Sequence, residues 1–238
     1  MLPLGNLERP PRFPWVTLAL IGANLLVWLA YELQVGLEEA VETLGFRPCE
    51  MNGSCAAEGQ PWVVDGLTAM FAHGGWSHVV GNLVFLAALG PVVEGLAGHV
   101  RFALLYVLSG MAADALQGGL TLAFAAGDAD IPNIGASGAI SGVIAAFVVA
   151  RPFDRILAWV MPCFFVRIPA IAMLGVWFVI QALEGTYTLS HPESVVGIAF
   201  FAHVGGFAAG VVLATMFLRD AWTRHLRPGS LRAVPRGR

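Results

Sequence analysis

Along the chain, hydrophobic positions gather into six long stretches, at residues 15–31, 78–96, 100–122, 135–150, 168–183 and 195–218. Within each, apolar side chains occupy every side of a helical wheel, the pattern of a helix surrounded by lipid or by other apolar helices. Crossing the ~30 Å hydrocarbon layer takes about 20 helical residues. The pattern therefore predicts an all-α polytopic membrane protein, a bundle of six transmembrane helices. The connection over residues 32–77 is long and mixed. In it, Leu37, Val41 and Leu44 recur at helical spacing opposite Glu38, Glu39 and Glu42, which predicts a helix lying in the membrane interface. Pro61, Trp62, Leu67, Met70 and Phe71 form a second apolar patch able to dip into the outer leaflet. The first stretch follows Arg9 and Arg12 as a signal peptide would, but no small-x-small cleavage site comes after it, so it reads as a permanent helix. The predicted organisation is a tail (residues 1–14), a membrane domain (15–218) and a basic tail (219–238).

Composition narrows the class. The 238 residues are 57% hydrophobic and 12% charged, with a mean hydropathy of +0.73. Soluble domains carry about a quarter charged residues, so disordered chains, coiled coils and ordinary cytosolic enzymes are excluded. All 13 basic residues are arginine. Without lysine there is no P-loop, no Schiff base and no Ser-Lys dyad. A net charge of −3 offers no basic face to nucleic acid, and the absence of internal repeats weakens a transporter reading. With a cytoplasmic N-terminus, every arginine except Arg47 falls on the inner side, while Glu38, Glu39, Glu42, Glu50, Glu58 and Asp65 fall outside. Both termini are therefore expected in the cytoplasm of a multi-pass cell-membrane protein. The arginine-rich tail reads as a topology anchor near anionic lipid, with a binding tail as the lesser reading. The three cysteines lack a C-x-x-C pairing, so no metal site is expected and no cofactor is implied. Cys49 and Cys55 share the outer loop, where a small disulfide and two free thiols are both open readings. Cys163 reads as a packing or lipid-facing residue.

Polar side chains inside apolar stretches are expensive and so are candidates for function. His78 and Asn82 open the second stretch, Ser137 opens the fourth within Gly135-Ala-Ser-Gly138, and His203 lies in the sixth. In this topology, stretches two, four and six all enter from the outer side. His203 is eight positions past Val195, ~12 Å along a helix, a depth that Ser137 shares if its helix starts slightly buried. Gly138 with Gly142, and Gly206 with Gly210, form Gly-x-x-x-Gly pairs that let two helices approach closely and bring the serine hydroxyl to the imidazole. A serine beside a histidine is the minimal activated nucleophile. His78 and Asn82, four apart on one face, can donate hydrogen bonds to an oxyanion together with the Ser137 backbone N–H. His73, Gly135 and Ser141 are further pocket candidates, although Ser141 and Ser109 also fit a hydroxyl bonded back to its own helix. Asp114 reads as facing a polar pocket or interfacial water rather than as a third member beside His203, and Glu94 reads as a structural hydrogen-bond partner.

Together these residues resemble the rhomboid intramembrane serine proteases. The likeness spans roughly residues 60–215 and rests on His73-Gly-Gly-Trp-Ser-His78-x-x-x-Asn82, Gly135-Ala-Ser137-Gly138 and Ala202-His203-x-x-Gly206-x-x-x-Gly210, in the family's order. It implies a six-helix protease with a Ser137–His203 dyad and no required acid. The oxyanion site would be His78, Asn82 and the Ser137 backbone. Its substrates would be single-span membrane proteins cut in the bilayer near the outer end of their helix, and its first loop a half-submerged hairpin. The fifth helix and a cap loop at residues 186–194 would be the gate. Two departures stand out: Val63-Val64-Asp65-Gly66 where many members carry Trp-Arg, and Ser141 where some carry a tyrosine that stacks on the histidine. The runner-up is a catalytically silent relative that binds membrane helices as a chaperone or adaptor.

Overall fold

The computed structural model describes residues 2–6, 12–55, 60–160, 164–190 and 200–218. It is mostly helical. Helix α1 (Trp15–Val27) runs through a π-helical turn (Trp28–Glu32) into α2 (Leu33–Val35). The helix predicted from the Leu37–Val41–Leu44 spacing is α3 (Leu37–Leu44), and α4 (Trp62–Ala69) follows in the same connection. Next come α5 (Trp76–Ala97), α6 (His99–Phe124), α7 (Ser137–Ala150), α8 (Ala170–Ser190) and α9 (Phe200–Phe217). By length and apolar composition, four described segments can cross a membrane: Trp15–Val35, Trp76–Ala97, His99–Phe124 and Phe200–Phe217. Ser137–Ala150 and Ala170–Ile180 are shorter apolar segments.

The structure corrects two sequence expectations. The chain is not all-α, because β1 (Leu2–Asn6), β2 (Arg155–Val160) and β3 (Phe164–Pro169) form an antiparallel sheet in the order β1-β2-β3. The fifth apolar stretch accordingly starts as strand: Ile168 pairs with Ile156, and the helix begins only at Ala170. Phe164-Phe-Val-Arg-Ile is aromatic and β-branched, a composition that favours an extended backbone, and Pro169 separates it from the helix. The second correction concerns the first connection. The π-helical turn carries helical backbone past Tyr31, so Glu32 is buried within the helix instead of opening the loop.

Helix α7 is the axle of the bundle. Almost all its residues are buried, and it packs against α5, α6, α8 and α9. Its contact with α9 is backbone on backbone: a Cβ at Gly206 would overlap the Gly138 carbonyl, and one at Gly210 would overlap the Gly142 carbonyl. Near the C-terminal end of α5, Glu94 ties down the start of α1. Its carboxylate accepts the Val16 N–H (2.8 Å), the Thr17 N–H (2.8 Å) and the Thr17 hydroxyl (2.6 Å), and lies 2.6 Å from His99 Nδ1. These bonds satisfy amide groups that a helix N-terminus leaves without partners.

The connection between α1 and α5 is stapled to the segment that delivers Ser137. Phe46 and Asn133 exchange backbone hydrogen bonds, the Cys49 N–H donates to the Ala129 carbonyl (3.0 Å), and the Gly135 N–H donates to the Ala69 carbonyl (2.8 Å). A disulfide joins Cys49 to Cys55.

Candidate active site

Ser137 is the first residue of α7, and the backbone just before it has one solution. Gly135 has φ +123°, a conformation that L side chains rarely adopt. A Cβ there would also lie 2.8 Å from the His78 ring. Glycine thus serves both the turn and the approach of the imidazole. Across the glycine seam, His203 Nε2 lies 2.8 Å from Ser137 Oγ. The hydroxyl can donate to an unprotonated Nε2, the arrangement a general base requires. Ser141 Oγ donates to the Ser137 carbonyl at 2.7 Å, the back-bonded reading, and ties the first turn instead of entering the cleft. Ser109 differs: its buried hydroxyl has no hydrogen-bond partner among the described residues and packs at Gly142.

His78 and Asn82 stand one turn apart on α5 and face the same space. The Gly74 N–H donates to His78 Nδ1 at 3.3 Å, so the neutral ring carries its proton on Nε2, the atom beside Gly135. Asn82 is buried, and its amide nitrogen has no protein partner among the described residues. Together with Ser77, Ser137 and His203, these two form the polar end of a cleft of about 200 Å³. The apolar wall is Phe85, Ile140, Ile144 and Trp177. Two donors and a hydroxyl–imidazole pair thus converge on one cavity.

Residues 59–220, more than half of the chain, match the family model described as the Rhomboid domain. The chain belongs to the rhomboid family. Among known rhomboids it is 30% identical over 151 residues to RHOMBOID-like protein 1 of Arabidopsis thaliana (63% of this chain, 33% of that one). It is 29% identical over 154 residues to Rhomboid-type serine protease 2 of Emericella nidulans (63% and 26%). It is also 30% identical over 132 residues to Inactive rhomboid protein 1 of Drosophila melanogaster (56% and 8%). The chain spans a third or less of the length of each of these relatives.

Within this rhomboid domain some expected site residues stand aside from the cleft. His73 is not on its lining. It sits behind His78, with ring centroids 5.1 Å apart, and its Nδ1–H donates to the Phe71 carbonyl at 3.2 Å. Burial, helped by the neighbouring His78, pushes His73 down to about 4, so the ring is neutral at pH 7. Asp114 lies under α4, where a Cβ on Gly66 would meet its carboxylate at 3.1 Å; it does not line the cleft. Cys49, Cys55 and Asp130 cluster, but the disulfide uses both sulfurs, which leaves no thiolate to hold a metal.

Sequence reasoning missed two residues. Trp177 on α8 places its ring 5.7 Å from that of His203 and 6.4 Å from Phe85, so it holds the aromatic place beside the histidine that Ser141 cannot fill. An aromatic in a lipid-facing stretch gives no signal of its own. Glu32 was missed because a single acid after an apolar run reads as a helix boundary.

Proposed function

We propose that this rhomboid is an intramembrane serine endopeptidase that cuts transmembrane helices of membrane proteins near their extracytoplasmic ends. The observation that carries the reading is the 2.8 Å approach of His203 Nε2 to Ser137 Oγ at the polar end of the cleft. Ser137 Oγ attacks the scissile carbonyl as its proton passes to His203 Nε2. The oxygen that becomes negative is received by His78 Nε2–H, the Asn82 amide and the Ser137 backbone N–H. His203 then protonates the leaving amine, and water hydrolyses the acyl-enzyme by the same proton path in reverse. No cofactor enters.

Six helices span the bilayer in this reading, with α7 and α8 completing the set, and both termini are cytoplasmic. The tail 219–238 lies outside the described residues, whereas part of the 1–14 tail is strand β1. At 14 residues, α7 is ~21 Å long, shorter than the ~30 Å hydrocarbon layer. With Arg151 at the inner boundary, Ser137 lies below the outer surface, open to it through the cleft. A substrate helix hides its carbonyls in its own hydrogen bonds, so it must unwind locally before attack, which favours helices with small or helix-breaking residues. Helix α8 and the cap that follows form the gate. The cap expected as a loop at residues 186–194 is instead helical over 186–190, which belong to α8, and residues 191–194 lie outside the described residues.

The test uses purified protein in detergent with a fluorophosphonate probe. Wild type is expected to be labelled, and Ser137→Ala and His203→Ala to remain unlabelled. Folded wild type that takes no label would overturn the reading and leave the silent helix-binding alternative.

A further inference from the structure

Glu32 is fully buried at the end of the π-helical turn in the first membrane helix, a type of irregularity frequent at functional sites. One carboxylate oxygen accepts the His73 N–H at 2.9 Å. The other is buried with no hydrogen-bond partner among the described residues. A carboxylate with so little compensation is a poor source of stability, since an apolar residue of similar volume usually does as well or better. What Glu32 does provide is a fixed point. The segment after α4 and before α5 has no regular structure, and two consecutive N–H groups in it go to side chains: His73 to Glu32, and Gly74 to His78 Nδ1.

We propose that Glu32 is a positioning residue: by anchoring the turn at residues 73–75 it keeps the Gly74 N–H on His78 Nδ1 and so holds His78 as an Nε2–H donor facing Ser137. The inference deepens the protease reading and rests on it. If the anchor is lost, the Gly74 N–H is free to drift and the imidazole can move its proton to Nδ1. Nε2 would then present a lone pair to the developing oxyanion, replacing attraction with repulsion.

The experiment uses the full chain in lipid vesicles, labelled with ¹⁵N-histidine, as wild type, Glu32→Gln, which keeps an acceptor oxygen, and Glu32→Leu. Imidazole nitrogen shifts report the His78 tautomer, and the rate of fluorophosphonate labelling across a pH series reports the site. Wild type and Glu32→Gln are expected to show a single Nε2–H tautomer and similar rates. Glu32→Leu is expected to show mixed tautomers and a rate lower by roughly 10²-fold, the cost of losing one oxyanion donor. An unchanged tautomer in Glu32→Leu would overturn the proposal, as would equal losses in the two variants. Glu32→Ala repeats the test if the leucine protein does not fold. Wild type that shows the Nε2–H tautomer but takes no label would sink the protease reading alone, because the tautomer comparison still decides the role of Glu32.

Discussion

The α7–α9 seam and the connection between α1 and α5 both hold Ser137, by opposite means. The seam has no side chains between its backbones: Gly138 faces Gly206, and Gly142 faces Gly210. Main-chain contact there fixes how closely α9 approaches α7, and with it the 2.8 Å distance between Ser137 Oγ and His203 Nε2. The α1–α5 connection holds its end through groups that can open and close: a disulfide, a bridge between Phe46 and Asn133, and a carboxyl pair of Glu50 with Asp65 beside Arg47. In lipid there is little hydrophobic force between helices, and shape must supply the precision. At the water boundary, polar ties can do that work and stay adjustable.

The sharpest way to break this contrast is to put a side chain into the seam. Gly206→Leu must drive α9 away from the Gly138 carbonyl, and a misplacement of ~1 Å at reacting groups costs on the order of 10²-fold. Fluorophosphonate labelling is expected to fall by at least that factor, and the same rate as wild type would show that the seam does not set the dyad. The disulfide is a milder target. Replacing Cys49 and Cys55 together with alanine should weaken the loop locally by about 2 kcal/mol. That would appear as faster amide exchange at residues 46–55, with labelling of Ser137 nearly unchanged.

The smallest effect is electrostatic. Glu50, with its side chain only 4% exposed, is pushed up to about 7, chiefly by burial and further by Asp65, against the pull of the Arg47 N–H and charge. Asp65 is likewise raised by burial. A carboxyl group with a raised folded-state value favours the protonated form, so its contribution is complete below about 4.5 and is lost as pH rises through about 7. Amide protection in the loop, corrected for intrinsic exchange, should fall over that window, and Glu50→Gln should flatten the slope. A slope that survives Glu50→Gln would assign it to another group.

The seam was the more legible half from sequence. Small residues at a spacing of four and ionisable residues in apolar stretches are both costly without a partner, and those costs leave a pattern. The helix at Leu37–Leu44 was legible by its periodicity. Less legible were features that depend on a neighbour distant in the chain. The stretch 155–169 reads as an inner loop running into a span because apolar composition does not distinguish strand from helix over so few residues. Glu32 looks like a boundary until the π-helical turn rotates it inward, and Trp177 looks lipid-facing until α8 is laid against His203. Cys49 and Cys55 could be paired only once the backbone around them was known.

The small sheet sets an order of assembly. Leu2 pairs with Trp159, more than 150 positions later in the chain. At the ~5–20 residues per second of protein synthesis, strand β1 waits roughly ten to thirty seconds for its partner. By then α7 has already been made, so β1 closes over a bundle that already contains Ser137. Strand β1 is made before α7 but pairs only after it, while α8 and α9 are still to be added to the bundle.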